Sequence, residues 1–164
     1  MAEMHDLEWL ERIYREHQQP LFLTAWNLLR CQSLAEDAVH AAFVRLAQLT
    51  AAPRDAKLYA FRAVRNAAID LMRKRDRTQQ KHPLVEYEES SPDLLTEDDE
   101  SLAAVRDALE QLDERSREAV ELHLHGGLTF QEIATLCDEP LQTVASRYRR
   151  ALEKLRQLLE AHHG

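Results

Sequence analysis

The chain has 164 residues, 45% of them hydrophobic and 30% charged, with a formal net charge of −8 and only three Gly and five Pro. That length holds one medium domain or two small ones with thin cores, and the scarcity of Gly and Pro favours helices throughout. No apolar run approaches the roughly 18 to 20 residues that span a bilayer, and the acidic start MAEMHDLEW lacks the basic and apolar regions of a signal peptide, so a cytoplasmic protein without membrane insertion is expected.

In chain order, Leu7, Leu10, Ile13, Tyr14 and His17 follow a helical period, and this first helix is expected to end before Pro20. A second helix follows with Leu21, Ala25, Leu28 and Leu29 inward. Ser33-Leu-Ala-Glu36 reads as a capping box that opens a third helix, with Ala38, Ala42, Phe43 and Leu46 towards the core. Glu36, Asp37, His40 and Arg45 stay outside. After a short loop from Thr50 to Asp55, a long fourth helix runs from about Ala56 to Thr78. Its Phe61, Val64, Ala68, Leu71 and Met72 face inward, and Arg62, Arg65, Arg73, Lys74, Arg75 and Arg77 outward. The result is a four-helix domain over residues 1–82 with one cationic edge.

Residues 83–101, PLVEYEESSPDLLTEDDES, combine two prolines, a serine pair and dense acid without a helical period. They read as a flexible acidic linker that its own charge keeps extended. Residues 102–164 form the second domain. There Gly126 and Gly127 stop one helix, and Thr129-Phe-Gln-Glu132 is a capping box that starts the next. Ile133, Ala134, Leu136 and Cys137 give that helix an apolar face, and Asp138-Glu-Pro140 breaks it. In the helix beyond, Val144, Tyr148, Ala151, Leu155 and Leu158 recur every three or four residues. Two helices around a tight turn, the second amphipathic and cationic outside, form the pattern of a helix-turn-helix that places a helix in a DNA groove. Gln142, Thr143, Ser146, Arg149 and Arg150 are candidate DNA contacts, and Arg147 and Lys154 suit phosphate or surface pairing. A helical hairpin with a solvated charged face is the plainer alternative.

The acidic total conceals a basic block. Residues 50–82 carry nine Lys and Arg against three Asp and Glu, while residues 83–115 carry two against twelve. Tyr59 and Phe61 stand at the start of that block, and cations with interleaved aromatic rings suit single-stranded DNA, the cations tracking phosphates while rings stack on bases. Phe61 can equally be core, whereas Tyr59 is harder to bury. Cys31 and Cys137, far apart within apolar patterns, read as buried reduced thiols. His123-Leu-His125 is the closest approach to a metal-ligand pair, but a spacing of two turns the rings to different faces of a helix, and neither CxxC nor HExxH accompanies it. No metal and no cofactor is expected.

Residues 34–46 (LAEDAVHAAFVRL) with residues 59–73 (YAFRAVRNAAIDLMR) resemble regions two point two to two point four of the extracytoplasmic-function group of bacterial sigma factors. Residues 109–156 resemble their region four. The two resemblances stand in the family's order and separation. They imply an all-α protein of two small helical domains that binds core RNA polymerase and directs it to promoter DNA, with an anti-sigma factor as a further partner. By that resemblance the Ala-Glu-Asp helix docks on polymerase through Glu36, Asp37, His40 and Arg45. The loop from Pro53 to Lys57 and the residues Tyr59, Arg62, Arg65, Asn66, Asp70 and Arg73 capture the unpaired strand of the minus-ten element. The helix-turn-helix reads the minus-thirty-five element as duplex through Gln142, Thr143, Ser146, Arg147, Arg149 and Arg150.

Some residues depart from the family pattern. Ala145 stands where a Lys or Arg is usual, Tyr59 where a Trp is frequent, His40 for the usual Gln, and Asp113 for the Pro of a customary Leu-Pro. A sigma-like mimic that sequesters an anti-sigma factor without touching DNA is the alternative that the acidic linker and Ala145 favour. The intact basic helix and the lack of a receiver domain oppose it. A conventional two-domain repressor is disfavoured, since nothing in the first half reads as a ligand pocket or dimer seam. An enzyme is least expected, because no nucleophile, paired catalytic carboxylate or glycine-rich phosphate loop is evident.

Overall fold

The structure, a computed structural model, describes residues 7–81 and 100–163. Among them are seven helices and no strand: α1 Glu8–Leu29, α2 Gln32–Ala47, α3 Ala56–Lys81, α4 Glu100–Glu110, α5 Glu114–Leu124, α6 Phe130–Cys137 and α7 Leu141–His163. They group into two compact units, residues 1–92 and 93–164. Most of the expected acidic linker lies outside the described residues, although its last two positions, Glu100 and Ser101, already belong to α4.

In the first unit, α1, α2 and α3 pack on one another. The expected break at Pro20 does not occur: α1 runs through it as a single helix, so the described residues form three helices rather than four. Proline in a helix interior removes a backbone hydrogen bond and crowds the preceding turn, at a cost of about 3 kcal/mol. Against this, Leu10, Ile13, Leu21 and Leu28 form one buried stripe across the proline, flanked by buried Leu23 and Leu29. Each such side chain contributes about 1.5 to 3 kcal/mol. Burial on both sides therefore outweighs the lost bond, and the Thr24 hydroxyl donates to the Pro20 carbonyl at 2.9 Å.

The capping box expected at Ser33 also does not form. Helix α2 starts earlier, at Gln32, with Cys31 in the extended N-cap position and no side-chain cap; Gln32 Nε2 donates to Glu36 Oε1 at 3.3 Å. Its buried face is Ala35, Ala38, Ala42 and Leu46, while α3 buries Ala60, Phe61, Val64, Ala67 and Ala68. Alanines on both faces let the helix axes approach closely, and Phe61 of α3 is wholly buried. At the end of α1, Arg30 adopts a left-handed conformation (φ 54°) with its N–H to the Trp26 carbonyl at 2.7 Å and its guanidinium 4.0 Å over the Trp26 ring. Arg75, expected in solvent, instead donates to the Leu29 carbonyl and satisfies one of the carbonyls that a helix end leaves open.

In the second unit, Ala108, Leu112, Val120, Ala151 and Leu155 form a core, with Leu109, Tyr148, Leu158 and Leu159 packed against it. Helix α5 ends at Leu124 with His125 as its C-cap, and the chain then turns through Gly127, whose φ of 66° suits a residue without Cβ. The capping box at Thr129 is present: Glu132 N–H donates to Thr129 Oγ1 at 3.1 Å, and Thr129 N–H to Glu132 Oε1 at 3.0 Å. Asp138 turns left-handed (φ 54°) after α6, and Glu139 N–H reaches the Ala134 carbonyl at 3.0 Å, closing the helix as a Schellman-type end. The Pro140 carbonyl then accepts from Thr143 and Val144 at 3.1 and 3.2 Å, so the proline stands just ahead of α7, where its missing N–H costs nothing.

Candidate nucleic-acid interface

On α3 the exposed residues Tyr59, Arg62, Asn66, Asp70, Arg73 and Arg77 follow one another by three or four positions. In an α-helix that spacing places them on one face. From Tyr59 to Arg77 the stripe extends about 27 Å at the helical rise. Tyr59 is 41% exposed, whereas Phe61 has no exposure. The two aromatics are thus divided, one to the core and one to the stripe. Asp55 holds the start of the helix, its side chain accepting from Leu58 N–H at 3.2 Å and its carbonyl from Tyr59 N–H at 3.0 Å.

Arg65 departs from the sequence expectation. It lies on the flank of the stripe, about 100° around the helix from Asn66, is half-buried, and engages a partner of its own. Arg77, which sequence reasoning put merely outside, completes the stripe; its step of four from Arg73 was the signal available. Beneath this surface His17 lies 6.3 Å from the Phe61 ring centroid. Burial, with the nearby Lys57 charge adding to it and Glu16 opposing, lowers its imidazole below the ordinary value, so it favours the neutral form.

On α2, Glu36, Asp37, His40 and Arg45 are all exposed. Val44 of the same helix is 45% exposed, and the exposed Tyr14 of α1 meets the ring of Phe43 edge-on at 5.2 Å.

In the second unit, α6 and α7 are joined through Asp138–Pro140 as a helix-turn-helix. Gln142, Ser146, Arg149 and Arg150 lie along the first turns of α7; Gln142, Arg149 and Arg150 are exposed, while Thr143 and Ala145 are half-buried. Val144 on the opposite side is fully buried and anchors the helix to the core. Arg150 Nε reaches back to the Ser146 carbonyl at 3.4 Å. Lys154 pairs with protein, donating to the Gln111 carbonyl at 3.0 Å. Arg147, for which phosphate contact or surface pairing was expected, is paired with Glu139 through two hydrogen bonds of 3.0 and 2.7 Å. The sequence did not name the partner, because Glu139 lies in the turn, outside any helical period.

Three rings join α5, α6 and α7. His123 stacks on Phe130 at 4.6 Å and meets Tyr148 edge-on at 4.8 Å, Phe130 and Tyr148 being 5.0 Å apart, and His123 Nδ1 is 2.8 Å from the Leu128 carbonyl. His125 is exposed, so the two histidines do point apart. No group of metal-ligating side chains gathers among the described residues. Both cysteines are free; Cys31 is buried, but Cys137 is only half-buried and donates to Glu118 Oε1 at 3.3 Å. No described helix is long and apolar enough to cross a membrane. Asp113, where the sequence departs from Leu-Pro, is the N-cap residue of α5; the Ser116 hydroxyl, foremost among its partners, holds its carboxyl below the usual range.

Comparison with known proteins joins these two surfaces. Residues 13–78 match the model of Sigma-70 region 2, and residues 102–155 that of Sigma-70 region 4. The chain is 27% identical over 159 residues to the ECF RNA polymerase sigma factor SigE of Mycolicibacterium smegmatis. It belongs to the extracytoplasmic-function group of the sigma-70 family. The SigE alignment covers 93% of the chain and 62% of that relative. RpoE of Cereibacter sphaeroides, also an ECF sigma factor, is 36% identical over 99 residues, covering 59% of the chain and 54% of the relative. The chain thus spans less than two thirds of the length of these two. SigZ of Bacillus subtilis is 27% identical over 154 residues, with 92% and 87% covered. Among solved structures, the sigma factor RpoE of Bartonella quintana, crystallised with the anti-sigma factor NepR, shares the fold with a TM-score of 0.69 at 23% identity, over 92% of this chain and 96% of that one. In sigma-70 terms, the α3 stripe falls in region 2 and the helix-turn-helix in region 4.

Proposed function

We propose that this sigma-70 family member is an alternative sigma factor, a cytoplasmic and non-enzymatic subunit that binds core RNA polymerase and directs it to specific promoters. The observation that carries this reading is the stripe on α3, where an exposed ring stands in line with arginines and an amide. A strand with its bases turned out offers phosphates to cations, faces to rings and edges to amide or carboxylate groups. Tyr59, Arg62, Asn66, Asp70 and Arg73 would hold the unpaired strand of the minus-ten element, with Arg65 assisting from the flank. Gln142, Ser146, Arg149 and Arg150 of α7, with Thr143 beside them, would read the minus-thirty-five element as duplex. Arg147 supports them from the side of the turn. The exposed surface of α2 with Glu36, Asp37, His40 and Arg45 suits docking on polymerase.

An anti-sigma factor is a fitting further partner, since the similar Bartonella quintana sigma factor is bound to one. A mimic that only sequesters such a factor has no use for an exposed strand-binding stripe. Transcription in vitro with purified core polymerase over a library of genomic fragments tests the proposal. Initiation at a recurrent two-part sequence is expected; no initiation above core polymerase alone overturns it.

A further inference from the structure

The turn ahead of α7 carries an ion-pair junction that direct contacts to bases and phosphates leave unused. Arg147 Nη1 donates to Glu139 Oε1 at 3.0 Å and Nη2 to Oε2 at 2.7 Å. Arg115 Nη1, in the first turn of α5, lies 3.7 Å from the same Oε1. The Arg147 and Glu139 side chains retain 15% and 16% of their exposure, whereas Arg115 retains 69%. Glu139 is therefore gripped closely by Arg147 and loosely by Arg115. The hydrogen bond to Glu139, ahead of the attraction from Glu139 and Asp113, makes Arg147 hold its proton even more tightly than arginine ordinarily does.

A planar guanidinium meets a carboxylate through two parallel bonds in only one orientation, so such a fork restrains rotation where a single point charge would not. This fork ties the second turn of α7 to the turn that precedes it. Restraining that rotation fixes which side chains α7 presents. Arg147 also stands about 100° around the helix from Ser146, off the line of Gln142, Ser146 and Arg149.

We infer that Arg147 is a positioning residue, which orients the recognition helix through Glu139 instead of meeting a phosphate itself. The inference rests on the duplex-reading role proposed for α7. Duplex affinity at this end then depends on Arg149 and Arg150, Ala145 supplying no charge, and sequence preference depends on the fork.

The test uses the full chain and two 30-base-pair duplexes: the sequence selected from a random library by the unaltered protein, and a mixed-sequence control. Affinity is measured against salt, and circular dichroism checks each variant's fold. Arg149→Ala and Arg150→Ala are each expected to flatten the slope of log affinity against log salt by about 0.9, the counterion release lost with one phosphate contact. Arg147→Ala is expected to leave the slope unchanged while preference for the selected sequence falls about fivefold to tenfold. Arg147→Lys, which keeps the charge and loses the fork, should behave as Arg147→Ala does. The exchange Glu139→Arg with Arg147→Glu should recover part of the preference. If Arg147→Ala flattens the slope and Arg147→Lys restores it, Arg147 is a phosphate contact and the inference falls. If Arg149→Ala and Arg150→Ala also leave the slope unchanged, the duplex-reading role of α7 fails first.

Discussion

Replacing Tyr59 by Ala isolates strand capture from folding. The residue is 41% exposed and begins the line that continues through Arg62 and Asn66. Its removal opens no cavity, and alanine is the better helix former, so the stability of the first unit should hold or rise slightly. A base stacked on an aromatic ring contributes about 1 to 3 kcal/mol. Since about 1.4 kcal/mol is a factor of ten, Tyr59→Ala should weaken open-complex formation about 5-fold to 150-fold. Tyr59→Phe keeps the stacking surface and should remain within about threefold of the unaltered protein. The assay is reconstituted holoenzyme titrated onto a promoter with a fluorescent base analogue in the minus-ten element, whose emission rises on unstacking. Open-complex yields for Tyr59→Ala indistinguishable from the unaltered protein, with polymerase binding intact, would refute the role given to the stripe. A loss in Tyr59→Phe equal to that in Tyr59→Ala would move the effect from the ring face to the hydroxyl.

Further expectations concern charge, capping and pH. Arg62→Ala should reduce open-complex yield more than Arg65→Ala, because Arg62 lies in the exposed stripe and Arg65 is half-buried with another partner; the salt slope for a single-stranded minus-ten oligonucleotide should flatten by about 0.7 in the first variant. Equal losses would place Arg65 on the strand after all. Thr129→Ala removes the hydroxyl that caps α6 and should cost about 1 kcal/mol in a denaturant titration of the second unit, while Thr129→Gly should cost only a few tenths of that. His17 has a lowered folded pKa, so the native unit resists its protonation. The stability it contributes is complete above the unfolded value of about 6.5 and is lost as pH falls through that value towards the folded one. His17→Gln should therefore show a smaller drop in urea midpoint between pH 7.5 and pH 5.5 than the unaltered protein; identical drops would remove His17 from the pH response.

Much of the candidate site was legible because its signals are local. The steps of three and four that line up Tyr59, Arg62, Asn66, Asp70 and Arg73 are a property of the helix alone, as are the recurring buried positions of α7 from Val144 to Leu155. The Thr129 capping box joins groups three residues apart, so its formation needs nothing from the rest of the fold. The division into a basic and an acidic stretch is likewise a property of residue order alone. These features, together with the resemblance carried by residues 34–46, 59–73 and 109–156, determined an all-α sigma-like chain.

The remainder depended on residues far apart in sequence. Whether Pro20 ends a helix is decided by what its neighbours bury, and Leu10, Ile13, Leu21 and Leu28 bury enough against α2 and α3 to keep α1 whole. The period of α3 pointed Phe61 inward but left it equally open to a role beside the cations, and its complete burial in the packed unit settled that it belongs to the core. Arg75 read as a solvent-facing cation until the Leu29 carbonyl was brought to it, and Arg147, open to phosphate or to surface pairing, was committed to a partner only by the placement of Glu139. A helical period reports which side of a helix a residue lies on, and it carries no information about what the turn or the next helix places opposite. That is why the sequence determined the surfaces of this protein, and the tertiary structure decided which of their charges remain for a partner.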